Sequence, residues 1–226
     1  MLLLPTGETS VRWRRSRQAR RVSLRIDARA GAVVVTLPPR AARQAGLELL
    51  RVHSDWVAGK LAALPGRTEI AADATVALSG VPHVIRACPR AKRGVWIEAG
   101  EIRVSGEPEF LSRRVLDFLR GEARIRLGAC AHGIATASGL RPRRVVIKDT
   151  SSRWGSCSHD GVVMFSWRLV MAPPDIQHYV VAHELAHLRH LDHGARFWAL
   201  VAQLTPHRTG AEAWLRRHGP ALLRIG

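Results

Sequence analysis

Hydrophobic and polar positions alternate in the first half of the chain as they do in short β-strands, with one helical stretch in between. The segment VSLRID places Val22, Leu24 and Ile26 on one face of a strand, and AVVVTLP follows it after a turn. Apolar residues near helical spacing predict one helix over residues 40–63. Four further short strands are predicted over residues 68–105: TVALSG, VPHVIRA, GVWIEA and EIRVSG.

The second half of the chain is dominated by helical periodicity. A long helix is predicted over residues 108–138. The segments RRVVIKDT and VVMFSWRLV read as strands on either side of the polar, turn-rich SSRWGSCSHDG, and further helices are predicted after Pro173 and Pro174 and over 194–204 and 210–223. The apolar face predicted for the long helix consists of Leu111, Val115, Leu116, Leu119, Ile125 and Leu127.

This pattern predicts an α+β protein with two parts. Residues 1–107 are expected to form an antiparallel β-rich region with one helix. Residues 108–226 are expected to form a second domain of helices and strands, in which a helix lies behind a small sheet.

Composition places the chain among soluble globular proteins. A hydrophobic content of 46% over 226 residues is enough for a substantial core, and no apolar run approaches the roughly 20 residues that span a bilayer. The apolar block at the start of the chain is too short for a signal peptide. The cysteines Cys88, Cys130 and Cys157 form no C-x-x-C pair, which argues against a cysteine-based zinc site. We therefore expect a cytoplasmic protein without a membrane partner.

The net charge of +17 favours anionic partners, and nucleic acid or a nucleotide is one class of them. Arginine has largely replaced lysine, which occurs only at positions 60, 92 and 148, and this bias need not reflect a binding surface. An arginine-rich segment precedes the first predicted strands, and a solvated edge strand is the favoured interpretation of it. Its members are Arg12, Arg14, Arg15, Arg17, Arg20 and Arg21.

The pattern H-E-x-x-H carries the most specific chemistry in the chain. It places His183, Glu184 and His187 in an apolar run that reads as a helix. Residues four apart lie on one helical face, so two imidazoles can bind one zinc ion while the glutamate acts on a zinc-bound water. The sequence therefore predicts a zinc-dependent hydrolase with one zinc ion per chain. Residues 108–226 are accordingly expected to form a zincin-like helical and β metal-dependent hydrolase domain, in which an edge strand above the metal aligns an extended substrate through main-chain hydrogen bonds.

The third zinc ligand has two nearby candidates, His190 and His193. His190 shares the helical face but would lie about 10 Å along the axis from His183. His193 can reach the metal if the helix ends near Leu191 and the chain turns back, which Asp192 and the following glycine allow. We therefore choose His193.

Two other ligand arrangements are weaker. The H-E-x-x-H-x5-H length matches metzincins, but His190 stands where they have glycine and no methionine follows Met171 to make a Met-turn. Glu212 is the one glutamate left downstream, and its helical surroundings favour a solvated side chain.

The mechanism predicted from the motif has Glu184 take the proton of the water and give it to the leaving amine. Candidates for substrate or transition-state contacts are Tyr179, Arg153, His159 and His190.

Several segments resemble the YgjP-like metallopeptidase family, whose members are SprT-like zincins. The strong part of the resemblance runs from about residue 141 to residue 198. It is carried by RWGSCS at 153–158, by WRLV-x-x-P at 167–173 and by YVVAHELAHL with the later His193, Phe197 and Trp198. Weaker matches in the first half are Pro38, Trp56, Val57, Lys60, Leu61 and LSG at 78–80.

The resemblance implies a zinc-dependent hydrolase with His183, His187 and His193 as ligands and Glu184 as catalyst. Ser166 stands where the family often has asparagine, and Asp192 replaces another asparagine but also suits a turn. RWGSC is expected in a loop or edge strand that lines the cleft.

Peptidase activity on a peptide or protein substrate is the leading functional hypothesis. The alternatives are a metal-dependent nucleotide phosphohydrolase of the pyrophosphatase type, a nucleic-acid-associated SprT-like protease, and a structural zinc protein. An adjacent glutamate and an open coordination position argue against a structural site. The sequence leaves the oligomeric state and the physiological substrate open.

Overall fold

The α+β class predicted from the sequence is confirmed by the arrangement of helices and sheets. The computed structural model describes the backbone of residues 2–4 and 7–226 and the side chains from residue 10 onward. Part of the segment considered above for a signal peptide lies outside the described residues. The chain forms two compact units, residues 1–67 and residues 68–226.

The first unit is built around a three-stranded sheet with β5 in its centre. The neighbours of β5 are β4, which is antiparallel, and β3, which is parallel and forms an edge. Its core joins the central strand to the helices through Val33, Val35, Leu50 and Val57. The elements are β1 Leu2–Leu4, β2 Gly7–Thr9, β3 Val11–Arg15, β4 Ser23–Asp27, β5 Ala32–Leu37, α1 Arg43–Val52 and α2 Ser54–Ala62.

The single helix predicted over residues 40–63 is wrong, because the structure breaks it at His53. There the backbone leaves helical geometry, with φ −106° and ψ 21°. Ser54 and Asp55 follow directly. Serine and aspartate favour helix starts, and the Asp55 carboxylate lies in the first turn of α2, where the helix dipole stabilises it. Apolar periodicity alone does not show where one helix ends and a second one begins.

Helix α3, which runs from Leu111 to Ser138, is the central element of the second unit. It follows a short 3-10 turn and ends at Gly139, whose φ of 68° is the left-handed conformation typical of helix ends. Its buried face repeats every four residues. Ile125, which was predicted on this face, is 67% exposed, whereas Ala123 is buried in the core.

A four-stranded sheet precedes α3 and shares its hydrophobic core. The two units therefore divide before this sheet, whereas the sequence predicted a boundary between residues 107 and 108. Val76, Ile85 and Ile102 of the sheet belong to the same buried cluster as Leu119 of α3. The strand order is β6-β7-β9-β8, and the central pair is parallel, so the sheet is mixed. Its strands are β6 Thr75–Leu78, β7 Val81–Cys88, β8 Val95–Glu98 and β9 Glu101–Ser105.

A second, three-stranded sheet in this unit holds the segment that was predicted to be turn-rich. The strands are β10 Arg144–Lys148, β11 Gly155–Cys157 and β12 Val162–Ser166, in the order β10-β12-β11. The strand β11 is therefore an edge. The remaining helices are α4 Pro174–Ala186, α5 Ala195–Leu204 and α6 Arg208–Leu222. No helix in the described part of the chain is long and apolar enough to cross a membrane.

A buried arginine fixes the segment that leads into α4. Arg168 is 1% exposed and lies in the 3-10 turn after β12. Its Nη2 donates to the carbonyl oxygen of Ile225 at 2.9 Å, and its Nη1 is paired with Asp149. The Trp167 Nε1–H donates to the same carboxylate at 3.1 Å. Because a buried charge is tolerated only with such partners, this network fixes the start of α4 relative to the C-terminus.

Candidate metal centre and cleft

Helix α4 carries the first half of the H-E-x-x-H motif in a buried setting. Pro174 occupies its first turn, where a missing N–H costs nothing. The α-helix ends at Ala186, several residues earlier than expected, and a tighter turn follows in which Arg189 and His190 both donate N–H bonds to the Ala186 carbonyl at 3.1 Å. His187 is consequently the residue that caps the C-terminal end of the helix.

The chain then turns back as the sequence suggested, through Asp192. The Asp192 Oδ1 accepts a hydrogen bond from the Gly194 N–H at 3.4 Å. This side-chain turn lets α5 begin at Ala195. His193 thereby lies beside α4, with its Nε2 3.2 Å from the Nε2 of His183, and it remains exposed on its other side.

Three imidazoles converge at this point. The ring centroids of His183 and His187 are 5.2 Å apart, those of His183 and His193 5.1 Å, and those of His187 and His193 4.8 Å. One nitrogen from each ring can be chosen so that all lie within 4.8 Å of one another. Among the described residues, this is the one cluster of potential ligands that could hold a metal ion.

The surroundings of the cluster fit a metal. The His187 Nδ1 lies 2.9 Å from the carbonyl oxygen of His190, which fixes that nitrogen as the donor and leaves Nε2 free as a ligand. The buried ring of Phe197 packs on all three imidazoles at 4.5 to 5.0 Å. Burial, followed by the neighbouring His187 and His193, lowers the pKa of His183 to about 4. The ring is therefore neutral near pH 7, the form that binds metal.

Glu184 is 8% exposed and lines a cavity beside the histidines. Burial raises the pKa of its carboxyl group to about 7, and the positive charge of Arg153 opposes the rise. The side chain packs against the backbone of Gly155 in β11. A Cβ at position 155 would lie 2.8 Å from both Glu184 Cδ and Oε1, so only glycine fits there.

Tyr179 does not offer a free donor to the cleft. Its hydroxyl donates to Glu212 Oε1 at 2.8 Å, and that carboxylate also accepts from Arg208 Nε at 3.1 Å. Burial, followed by the bond to Glu212, raises the pKa of Tyr179. Glu212 lies outside the histidine cluster. The guanidinium of Arg208 lies 3.4 Å from the centroid of the Trp198 ring, so these side chains connect α4, α5 and α6.

The other residues predicted to contact the substrate or transition state do not all lie at the cavity. Arg153 is exposed and lines the same cavity as Glu184. His159 lies in the turn between β11 and β12 and is not part of the cavity lining. His190 contributes its backbone carbonyl to the cluster, while its ring is not part of it. Burial, followed by the charges of Glu184 and Asp160, raises the pKa of the Cys157 thiol, which disfavours the nucleophilic thiolate.

The cavity has a volume of about 570 Å³ and is formed by three segments. The segment that leads into β11 contributes Trp154, α4 contributes Glu184, and α6 contributes Leu215 and Arg216. The α6 residues were missed in the sequence, although Glu212, Leu215 and Arg216 have the i, i+3, i+4 spacing of one helical face. That spacing identifies a face but not what it packs against.

These features define a metallopeptidase-type site. Two histidines come from α4 and its C-terminal end, a third is brought back to them by the turn at Asp192, and a buried glutamate lies beneath an edge strand. The chain belongs to the YgjP-like family, whose metallopeptidase domain matches residues 20–218. The resemblance inferred from RWGSCS and YVVAHELAHL is thereby confirmed. A metallopeptidase of this kind implies a divalent metal ion, for which the histidine cluster supplies suitable ligands.

No curated protein sequence matches this chain. Among solved structures, the crystal structure of the metallopeptidase zymogen of Pyrococcus abyssi abylysin is similar to part of it. The match covers 41% of this chain and 92% of that chain at 20% sequence identity, with a TM-score of 0.36.

Substituting Gly155 by alanine is expected to displace the Glu184 side chain and to lower peptidase activity by about a hundredfold, because small misplacements of a reacting group are costly. Metal content should stay unchanged, since Glu184 lies outside the histidine cluster. Turnover and metal analysis on the same preparation measure both effects. Gly121→Ala in α3 is the matched control, because nothing lies within 4 Å of a Cβ there. Equal activities of the two variants would contradict the proposed contact.

Proposed function

We propose that this chain is a zinc-dependent peptidase in which His183, His187 and His193 bind one zinc ion and Glu184 moves the proton of the attacking water. The observation that carries the proposal is the convergence of three imidazoles beside a buried carboxylate. Zinc favours imidazole ligands, and three protein ligands leave a coordination position open, as in catalytic zinc sites. Bound zinc would supply a Lewis acid that polarises the scissile carbonyl and acidifies water.

Glu184 is suited to both halves of the proton transfer. With a carboxyl pKa raised to about 7, its acid and base forms are close in free energy near neutral pH. The carboxylate accepts a proton from water as the water attacks the carbonyl carbon. The carboxylic acid then donates that proton to the amine as the peptide bond breaks. Gly155 supports this role by holding the side chain against β11.

Tyr179 and Glu212 act in this proposal as positioning residues. Their hydrogen bond joins α4 to α6 and consumes the tyrosine proton that an oxyanion would otherwise receive. The edge strand β11 borders the cavity through Gly155, so an extended peptide can pair with it while its carbonyl faces Glu184.

The test is cleavage of a diverse peptide mixture by the purified chain, followed by mass spectrometry. We expect 1,10-phenanthroline to abolish cleavage and stoichiometric zinc, added after the chelator is removed, to restore it, because in this proposal the three histidines hold the ion. Nucleoside triphosphates with zinc, manganese or magnesium form the parallel assay. Cleavage by a preparation shown to be metal-free, or hydrolysis of triphosphates in place of peptides, would contradict the proposal.

A further inference from the structure

Two arginine side chains at the cavity beside Glu184 have no carboxylate partner. Arg153 precedes β11, and Arg216 lies on α6, so the two reach the cavity from different elements. Both are exposed. Among the described side chains, neither guanidinium makes an ion pair or a hydrogen bond. The contact recorded for Arg153 is a bond from the Thr150 hydroxyl to its backbone carbonyl.

The acidic residues of the cavity act on these arginines only through longer-range charge, Glu184 on Arg153 and Glu212 on Arg216, and form no ion pair with them. Glu212 is bound by the Tyr179 hydroxyl at 2.8 Å and by Arg208 Nε at 3.1 Å. Glu184 is buried against Gly155 and belongs to the reaction itself. The N–H donors of both guanidinium groups therefore stay available to a group that enters the cavity.

Apolar side chains form part of the same cavity. Trp154, Val180 and Leu215 line the cavity. Trp154 is held from behind by α6, where a Cβ on Gly219 would lie 3.1 Å from its Cζ2 atom. A volume of about 570 Å³ suits a single amino-acid residue with some adjoining backbone. The site thus combines an apolar wall, a cationic rim and a direct border with the proposed catalytic glutamate.

We propose that this cavity binds a carboxylate-bearing residue of the substrate next to the scissile bond, with its apolar stem on Trp154 and Leu215 and its carboxylate on Arg153 and Arg216. This specificity rests on the proposed peptidase function. Arginine forms paired, charge-assisted hydrogen bonds with carboxylates, and these are strong and directional. The carboxylate comes from a glutamate side chain or from the free C-terminus of a peptide, which share this chemistry.

Binding to the metal-loaded Glu184→Gln variant tests the proposal without hydrolysis. The probes are fluorescent peptides of one sequence in four forms: glutamate or glutamine at the tested position, each with a free or an amidated C-terminus. We expect the forms that carry the recognised carboxylate to bind about tenfold more tightly than the amidated glutamine form, which has no carboxylate, and the difference to shrink as salt is added. The preferred form identifies which carboxylate source the cavity takes.

Arginine variants assign the preference to the cavity. In the Glu184→Gln background, Arg153→Gln and Arg216→Gln should each remove most of the discrimination, and Arg216→Lys should restore part of it. Arg217→Gln is the matched control, because Arg217 is an exposed neighbour on α6 that does not line the cavity. Binding of neutral apolar peptides should change little in all of these variants. A variant that still binds them but no longer prefers a carboxylate has therefore kept its fold and lost only carboxylate recognition.

The outcomes for function and specificity differ. If the wild-type chain cleaves peptides but neither form of carboxylate is preferred, the specificity proposal fails and the peptidase function stands. If carboxylate peptides bind through both arginines but no peptide is cleaved, the peptidase function fails and the binding site stands. Arginine-dependent binding of a nucleoside triphosphate in preference to all four peptides would overturn the carboxylate assignment.

Discussion

Replacing Glu184 by glutamine is expected to lower kcat by about 10² to 10⁴-fold, the usual contribution of a positioned general acid or base. Glutamine keeps the shape of the side chain but cannot accept the proton of water. Metal content should remain that of the wild type, because the carboxylate is not part of the histidine cluster. Steady-state cleavage of one chosen peptide, with metal analysis of the same sample, measures both quantities.

The same substitution separates a catalytic role from a structural one. Burial raises the pKa of Glu184, so the charged carboxylate is unfavourable in the folded chain. A neutral glutamine removes that cost, and the Tm of the variant should equal or exceed that of the wild type. Glu122→Gln is the control, because Glu122 forms a surface pair with Arg126 on α3 and should change neither activity nor stability appreciably. Loss of metal or a lower Tm together with lost activity would point to a structural role for Glu184.

Local spacing was sufficient to predict the convergence of the histidines. The positions of His183 and His187 follow from the helical repeat, and Asp192 with Gly194 marked the turn that brings His193 back. The exact end of the helix was not predictable, because it depends on which carbonyls the next residues bond. In the structure the Ala186 carbonyl takes those bonds, and the helix ends there.

The apolar periodicity of the sequence could not predict contacts between distant segments. The pattern that placed Ile125 on the buried face of α3 did not show that Ala123 fills that position in the core. Nothing in RWGSC indicates that Gly155 is small because Glu184 packs on it. Such constraints arise from three-dimensional neighbours, and a single sequence carries no record of them.

The α6 face illustrates the same limit at the cleft. Glu212 was interpreted as a solvated residue of an amphipathic helix, which describes its helical setting but not its partners. The structure adds bonds from Tyr179 and Arg208, and the stacking of Arg208 on Trp198 extends the connection to α5. A helix that seemed to close the chain therefore shapes one wall of the site.

Replacing His193 by alanine is expected to weaken metal binding by more than about a hundredfold and to abolish peptidase activity. This loss of affinity exceeds the one typical of a residue that only orients a metal ligand. His193 Nε2 lies 3.2 Å from His183 Nε2, so its imidazole belongs to the point where the rings converge. Competition with a chromophoric chelator measures the affinity, and circular dichroism shows whether the fold is retained.

His190→Ala is the matched control for this prediction, because it removes a neighbouring imidazole but keeps the backbone. His187 Nδ1 bonds the carbonyl oxygen of residue 190, which alanine supplies equally well. The His190 variant should therefore retain wild-type metal affinity and an intact His187 tautomer. Equal metal loss in the two variants would place the His190 ring among the ligands. Such a result would require the chain after Ala186 to adopt a turn different from the one in which residue 190 bonds back to that carbonyl.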